Sequence, residues 1–307
     1  MADECRQALL QMQYFVVRNF ELDSQIYEAC HADAVNFCHA RRNWYDEQDN
    51  MDPERGPTVL ACLYRYVYLH EGSSSQLSKD CVHHVKRIMK QRAVNVDLIP
   101  FIEEPCMTDL AKWCSSEESV DKKGYDMDCL QENYEHLTPV CQSAIGNFTV
   151  AQGSHFELNV PLFKSCSSMA KELCPQEFDN LYDDDHGDLI DCLVHKKNSY
   201  QMKGNRKCRA AIEHYQLINM KDFRFDSKFK EACKDDVSSY CSQVHTKGDV
   251  ISCLSTLVYN DTVSDSKRRV SKDCKSMLRV ELLQINENVN LDGHLSGKCL
   301  SSVGSYF

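Results

Sequence analysis

Cysteine spacing limits this chain to a narrow set of folds. Eighteen cysteines occur in 307 residues, and they follow a recurring order whose positions can be lettered a to d. The a and b cysteines are always eight residues apart: Cys30/Cys38, Cys106/Cys114, Cys166/Cys174 and Cys233/Cys241. A c cysteine then precedes a leucine: Cys62, Cys129, Cys192 and Cys253. The d cysteines are Cys81, Cys141, Cys208 and Cys274.

The interval from each d cysteine to the next a cysteine is constant at 25 residues. Cys5 and Cys30 obey the same rule, as do Cys274 and Cys299, so Cys5 is the d position of a partial unit and Cys299 the a position of another. Repetition of this length predicts an array of similar units. The expected boundaries give four complete units between two partial ones: 1–22, 23–98, 99–158, 159–225, 226–291 and 292–307.

Residues around the cysteines predict α-helices. N-cap types stand seven positions before most a cysteines and three before every d cysteine of the complete units. Apolar residues recur four before, four after and seven after a, which is one face of a helix; around Cys233 they are Phe229, Val237 and Tyr240. A third helix is expected to begin near the glycine that precedes each c. The sequence therefore predicts an all-α fold, a tandem array of disulfide-linked three-helix cysteine-rich repeats.

The first a–b pair raises the question of a metal site, because His31 and His39 stand directly beside its cysteines. These histidines do not recur in the other units, and the C-x2–4-C spacing of structural zinc sites is missing from the sequence. An even number of regularly spaced cysteines favours disulfides formed in an oxidising compartment. We therefore expect all eighteen cysteines, Cys5 and Cys299 included, to be oxidised, and no metal or other cofactor.

Two pairing schemes fit the spacing. The b cysteine ends one helix and c begins the next, so both schemes contain the b–c bonds Cys38–Cys62, Cys114–Cys129, Cys174–Cys192 and Cys241–Cys253. The constant interval favours bonds from each d to the following a: Cys5–Cys30, Cys81–Cys106, Cys141–Cys166, Cys208–Cys233 and Cys274–Cys299. That scheme uses every cysteine and joins neighbouring units. The alternative pairs a with d inside each unit and leaves Cys5 and Cys299 without partners.

Charge and hydropathy narrow the classes of partner. The formal net charge of −11 argues against nucleic acids and anionic membranes and favours basic proteins. No apolar run approaches the ~20 residues that span a bilayer, and the first residues lack the pattern of a signal peptide. Together with the cysteines, this predicts an internal segment of a larger secreted or membrane-anchored protein.

The a–b spacing of eight, an aspartate three residues beyond a (Asp33, Asp109, Asp236) and the Gly-x4–5-Cys-Leu motif together resemble the repeats of the cysteine-rich fibroblast growth factor receptor family. The resemblance covers nearly the whole chain, although Met169 replaces the aspartate in the third unit. It implies the Golgi-lumenal or extracellular part of a type I membrane glycoprotein. The partners it implies are fibroblast growth factors, E-selectin through fucosylated glycans, and the transforming growth factor-β precursor.

Two kinds of surface site are predicted from short motifs. Asn147 and Asn260 begin N-x-T sequons and are interpreted as N-glycosylation sites, the alternative being unmodified triplets. Asp183, Asp184 and Asp185 form an acidic cluster in a b–c connection, which could contact a basic ligand or simply be a solvated loop. A second acidic cluster at 117–121 has the same two interpretations, and the basic residues at 83–92 are interpreted as a solvated helix face.

Motifs of nucleotide-binding, serine-hydrolase and zinc-protease sites are missing from the sequence, so we expect a protein that is not an enzyme. The leading hypothesis is a binding segment that offers protein surface to growth factors and glycans to a lectin. A saposin-like lipid-binding module and a purely structural stalk are the alternatives. An unrecognised enzyme would require a deep pocket with convergent polar groups.

Overall fold

The computed structural model describes residues 3–40, 55–69, 76–115, 124–181, 186–264, 270–287 and 291. Within these ranges the chain forms helices and turns and contains no β-strand, which confirms the predicted all-α class. The chain divides into two compact units, Met1–Ala151 and Gln152–Phe307.

Fifteen α-helices occur in the described residues. From the N-terminus they are α1 (Asp3–Arg18), α2 (Ser24–Cys38), α3 (Arg55–Tyr68), α4 (Lys79–Arg92), α5 (Pro100–Trp113), α6 (Tyr125–Glu132), α7 (Pro139–Ser154) and α8 (Val160–Leu173). They continue as α9 (Pro175–Asp179), α10 (Asp188–Lys196), α11 (Tyr200–Gly204), α12 (Arg206–Asn219), α13 (Ser227–Tyr240), α14 (Lys247–Ser264) and α15 (Lys272–Glu287).

Each complete repeat has one helix for each of the a, c and d cysteines, and its b cysteine lies at the end of the a helix. The a helices are α2, α5, α8 and α13, the c helices are α3, α6, α10 and α14, and the d helices are α4, α7, α12 and α15. The third repeat adds the two short helices α9 and α11 to this plan. The predicted three-helix plan is thus present in all four complete repeats.

Side-chain caps begin most of the a helices, as the sequence predicts. Asp23, Asn159 and Asp226 each accept a hydrogen bond from the backbone N–H three residues later. Such a cap satisfies one of the N–H groups that the first helical turn leaves without an intrahelical partner. The second repeat has Ile99 at this position, and α5 begins there with Pro100, a residue suited to the first turn because its missing N–H needs no partner.

The disulfides close each repeat on itself. The expected b–c bonds are all present: Cys38–Cys62, Cys114–Cys129, Cys174–Cys192 and Cys241–Cys253. The a cysteines, however, pair with d of the same repeat: Cys30–Cys81, Cys106–Cys141, Cys166–Cys208 and Cys233–Cys274. Their Cα atoms are 4.6 to 4.7 Å apart, so the a and d helices touch at these points.

The d-to-a pairing predicted from the constant interval is therefore wrong. Between Cys81 and Cys106, for example, the 25 residues hold the rest of α4, a 3-10 turn at Val96–Leu98 and the first half of α5. Similar turns occur at Phe20–Leu22, Phe156–Leu158 and Phe223–Phe225. The interval is constant because this helix–turn–helix path has a fixed length. Cys5 is a free, exposed thiol, and Cys299 lies outside the described residues.

The a–d disulfides lie inside the hydrophobic cores. In the fourth repeat, Cys233 and Cys274 are buried together with Phe229, Val250 and Leu254. The third repeat surrounds its own a–d bond with residues such as Phe156, Leu193 and Met202. Each core thus combines few apolar side chains with a covalent link, which is typical of small domains that cannot bury enough surface otherwise. Among the described residues, no helix has the length and apolar character needed to cross a membrane.

Candidate functional site

The aspartate three residues beyond a and the N-cap residue three before d interact in the same way in three of the four complete repeats. The carboxylate of Asp236 on α13 accepts hydrogen bonds from the backbone N–H of Ser271 at 3.1 Å and from its hydroxyl at 2.7 Å. Ser271 in turn caps α15 by accepting from the N–H of Cys274. Asp109 binds Thr138 and Asp33 binds Ser78 in the same way. The aspartate of the a helix therefore fixes the beginning of the d helix beside the disulfide.

In the third repeat both residues of this aspartate–cap interaction are replaced. Met169 stands at the aspartate position, where it is buried in the core, and Asn205 stands at the cap position. Asn205 still caps α12 by accepting from the N–H of Cys208. The sequence shows the aspartate position and the cap position separately. Because both residues change together in this repeat, the sequence also indicates that the two positions interact.

The sequon at Asn147 lies on α7. Its asparagine is exposed, but Thr149 is buried. The Thr149 hydroxyl donates to the Ile145 carbonyl at 2.9 Å and accepts from the Gln131 amide at 2.8 Å. An enzyme that reads this hydroxyl must therefore act before α7 folds.

The sequon at Asn260 lies on α14, and both its asparagine and Thr262 are exposed. The Thr262 hydroxyl donates to the Val258 carbonyl one helical turn earlier. The two sequons thus differ in access to the threonine although both asparagines face solvent. Their glycosylation stays a prediction.

The acidic cluster Asp183, Asp184 and Asp185 lies outside the described residues, as does the cluster at 117–121. The structure does describe the end of the b–c connection that contains Asp183, Asp184 and Asp185. His186 and Gly187 have φ values of 40° and 83°, in the left-handed region, and Gly187 donates to the Ser154 carbonyl. A side chain at Gly187 would approach the carbonyl oxygen of Gly153 to 2.7 Å, so glycine is required there.

The basic stretch on α4 is only partly a solvated face. Arg92 is buried, where its guanidinium donates to the Val17 carbonyl and lies 4.0 Å from the carboxylate of Asp23. Burial lowers the pKa of Arg92 to about 10, against the opposing effect of Asp23. Arg92, at the end of α4, therefore contacts α1 and the N-cap residue of α2 rather than contributing to an exposed cationic patch.

A cleft in the second compact unit, Gln152–Phe307, contains buried charged groups. It opens among α10, α12, α13, α14 and α15, and Lys247 lies at its floor. The Lys247 Nζ is 2.6 Å from Asp226 Oδ2 and 2.8 Å from Glu281 Oε2. One ammonium is thus shared by two carboxylates, and Lys247 and Glu281 are both almost fully buried.

The pKa values in this cluster follow from burial and attraction. Burial opposes the charge of Lys247, but the two carboxylates outweigh it and raise the pKa of the ammonium. Burial raises the pKa of Glu281, with Asp226 adding to the rise and Lys247 opposing it. The pKa of Asp226 is lowered, because attraction and hydrogen bonding to Lys247 outweigh the effect of burial.

Hydrogen-bonded polar side chains continue the cleft towards α12. Lys197 donates to the Gln216 side-chain oxygen at 2.9 Å, and the Gln216 amide donates to Gln284 at 2.8 Å. Asn219 is 3% exposed and lines the cleft, where its side chain is hydrogen-bonded to Tyr215. Apolar wall residues complete the cleft: Ile190, Val194, Met220, Met277 and Ile285.

Sequence reasoning missed this cleft because Asp226, Lys247 and Glu281 occur together in one repeat only. The positions of Asp226, Lys247 and Glu281 relative to a, c and d correspond in the third repeat to Asn159, His186 and Tyr215. In the other repeats the aspartate column also holds Asp23 and the lysine column also holds Lys123, so only Glu281 is a charge confined to one repeat.

The profile of a protein family described as "Cysteine rich repeat" matches the chain at residues 3–69, 79–138, 139–201 and 206–262. The chain belongs to this family. Each matched segment begins at a helix that carries a d cysteine and extends past the next c cysteine. The family's sequence repeat is therefore offset from the disulfide-closed a–d unit of the structure.

Individual cysteine-rich repeat proteins match the chain along its whole length. Golgi apparatus protein 1 of Gallus gallus is 38% identical over 307 residues, which are all of this chain and 26% of the relative. The Homo sapiens protein is 37% identical over the same span, 25% of its length, and the Caenorhabditis elegans homolog is 37% identical over 323 residues. The chain thus spans about a quarter of these relatives. No solved structure matches it. These findings confirm the resemblance seen in the cysteine spacing.

Proposed function

We propose that this cysteine-rich repeat segment is a non-enzymatic binding scaffold in the Golgi lumen and at the cell surface, with basic growth factors of the fibroblast growth factor class as its ligands. The relatives carry the Golgi apparatus in their name, and the cysteine spacing resembles that of the cysteine-rich fibroblast growth factor receptor family. In this proposal the parent protein is membrane-anchored outside the segment. The transforming growth factor-β precursor is a further candidate ligand of the same proposal.

The observation that carries the proposal is the combination of self-closed repeats with a strong negative charge. Eight disulfides within the described residues fix the helices of four repeats, and the formal net charge is −11. A scaffold that is ordered before binding loses little conformational entropy when a ligand binds. Opposite potentials accelerate the encounter with a basic protein and select against acidic ones.

The repeat interiors favour this proposal over a lipid-binding module. Phe229, Val250 and Leu254 fill the fourth repeat around its disulfide, and Phe156 and Leu193 do so in the third. A saposin-like module would instead need wide apolar inner faces. A purely structural stalk remains the competing outcome of the binding experiment.

The experiment measures binding of the 307-residue chain, produced in a secretory host, to a panel of basic and acidic growth factors. We expect the basic fibroblast growth factors to bind and the acidic proteins of similar size not to bind. Equal retention of both classes, or of neither, would contradict the proposal. A stalk predicts no binding to any member of the panel.

Glycan presentation is a separate part of the proposal. If Asn147 and Asn260 carry glycans, endoglycosidase should lower the mass of the secreted protein in two steps. E-selectin should then bind the chain when it is produced with fucosylating enzymes. This binding should disappear in the double variant Asn147→Gln, Asn260→Gln. Growth factor binding should survive that variant, since it depends on protein surface. Selectin binding that persists in the double variant removes these sites from the proposal.

A further inference from the structure

The first helix, α1, carries an apolar face that is open to solvent. Cys5 is a free, exposed thiol, and the side chains of Leu9 and Met12 are 45% and 64% exposed. Four and three positions separate these residues, so they lie on one side of the helix. We refer to Cys5, Leu9 and Met12 as the open face of α1.

The complete repeats bury the corresponding positions of their d helices. The residues are Cys81, Val85 and Ile88 in the first repeat and Cys141, Ile145 and Phe148 in the second. None of these six side chains is more than 3% exposed. In every complete repeat an a cysteine lies directly opposite the d cysteine, with Cα atoms 4.6 to 4.7 Å apart. The open face of α1 is therefore the surface that a d helix turns towards the interior of its repeat.

The third repeat shows what covers such a face. Leu162, Cys166 and Ala170 of α8 are at most 1% exposed, and they form one core cluster with Cys208 and Ile212 of α12. The a helix thus contributes its cysteine and the apolar residues one turn before and one turn after it. A partner for α1 needs the same three features.

The position of α1 is fixed at its C-terminal end. Val17 is buried, and its backbone carbonyl accepts a hydrogen bond from the buried Arg92. Arg18 is paired with Glu103 of α5. Because these contacts already order the helix, covering the open face costs little further conformational entropy.

The cap position of α1 narrows the choice of partner. Ala2 stands three residues before Cys5 and has no hydroxyl for an aspartate of the a helix to bind. The third repeat also lacks the aspartate–cap interaction, since Met169 stands at the aspartate position. A buried aspartate with fewer hydrogen-bond donors is less stable. An a helix with an apolar residue three beyond its cysteine, as in α8, therefore matches α1 better.

We propose that the open face of α1 is the docking site for the a helix of another cysteine-rich repeat, and that Cys5 forms a disulfide with the cysteine of that helix. The apolar residues one turn before and after the partner's cysteine cover Leu9 and Met12. This inference goes beyond the proposed function, because it assigns a surface to a further repeat rather than to a growth factor.

The bond forms by thiol–disulfide exchange with a small-molecule disulfide such as oxidised glutathione. The Cys5 thiolate attacks one glutathione sulfur, which forms a mixed disulfide and releases one glutathione thiol. The thiolate of the partner helix then attacks the Cys5 sulfur and releases the second glutathione thiol. Two thiols are thus oxidised to one disulfide while oxidised glutathione is reduced to two thiols.

The test measures how much of the full chain carries an added peptide after equilibration in a glutathione redox buffer. Cys299→Ser in the chain leaves Cys5 as the one cysteine outside the eight disulfides. The probe is a peptide of residues 159–173, whose one cysteine is Cys166, and the matched probe carries Leu162→Asn and Ala170→Gln. We expect an equilibrium constant about tenfold larger for the unchanged peptide, because only its apolar residues cover the open face. Equal constants for the two peptides, or no adduct with either, overturn the inference.

Variants of exposed residues locate the docking surface without disturbing the core. Leu9→Gln combined with Met12→Gln should abolish the preference for the unchanged peptide. Tyr14→Gln removes an exposed apolar side chain about two and a half turns beyond Cys5, on the opposite side of α1, and should keep the preference. Peptide mapping should place the adduct at Cys5. A preference that survives the double variant, an equal loss in Tyr14→Gln, or an adduct at another cysteine overturns the assignment.

Discussion

At the scale of single residues, the aspartate three positions beyond a has an unexpectedly central role. Asp236 is 7% exposed, and its carboxylate holds both the N–H and the hydroxyl of Ser271, the cap of α15. The bond joins the same two helices as the Cys233–Cys274 disulfide and lies beside it in sequence. Cap and disulfide therefore stabilise one contact by two independent means.

Replacing this aspartate should weaken the repeat even with its disulfides intact. Asp236→Ala is expected to lower the free energy of unfolding by about 1–2 kcal/mol, because it leaves the Ser271 N–H and hydroxyl without their acceptor. Urea unfolding under non-reducing conditions measures the change. The neighbouring Asp235→Ala is the control, since Asp235 is exposed, and it should stay within about 0.5 kcal/mol of the parent chain. Equal effects at the two positions would contradict the assigned role.

His195 provides a prediction about pH. Hydrogen bonding to Asp191 raises the pKa of His195 from the ordinary 6.5 to about 9, against the opposing effect of burial. Because the folded state binds this proton more tightly than the unfolded state, the contribution to stability is fully present below about pH 6.5 and is lost as the pH rises through 9. NMR titration should find His195 protonated at neutral pH, and Asp191→Asn should bring its pKa back towards 6.5. A value near 6.5 in the unmodified chain refutes this assignment.

At the scale of helices, the disulfides decide which elements form a unit. The a and d helices of one repeat are joined by a core disulfide, and the b–c bond attaches the third helix. In the third repeat this gives α8 bonded to α12 through Cys166–Cys208 and to α10 through Cys174–Cys192. Each repeat is therefore expected to keep its own helices together when its neighbours unfold.

A non-reduced peptide map tests this pairing. We expect disulfide-linked peptides containing Cys30 with Cys81 and Cys166 with Cys208, and an alkylated thiol at Cys5. A peptide linking Cys81 to Cys106 would instead show neighbouring repeats joined to each other.

The sequence predicted the helices better than their covalent connections. The caps at Asp226 and Ser271 and the apolar face around Cys233 are local patterns, so they identified the helices directly. The b–c bonds were also predictable, because a short connection brings b and c together. The a–d bonds depend on how two distant helices pack, and the constant interval between d and the next a reflects a helix–turn–helix path of fixed length rather than a bond. The cleft at Lys247 was invisible for a related reason: its residues come from separate helices of one repeat only.

At the scale of the whole molecule, a net negative charge is carried by a scaffold whose repeats are fixed by disulfides. Charge attraction acts over a Debye length of about 8 Å at physiological salt, so it should control the rate of encounter more than the final affinity. The cluster Asp183, Asp184 and Asp185 is proposed to contribute to that attraction. The formal charge of −11 makes the effect a property of the chain as well as of this cluster.

The most direct test is the association rate of the chain with a basic fibroblast growth factor, measured by surface plasmon resonance at low and high salt. We predict that the association rate falls steeply as the salt concentration rises. The combined substitutions Asp183→Asn, Asp184→Asn and Asp185→Asn should slow association by a larger factor than they accelerate dissociation. The matched control removes three exposed carboxylates of the fourth repeat: Glu231→Gln, Asp235→Asn and Asp273→Asn. It should slow association less than the change at 183–185 does. An association rate that is indifferent to both salt and the substitutions at 183–185 would contradict the account.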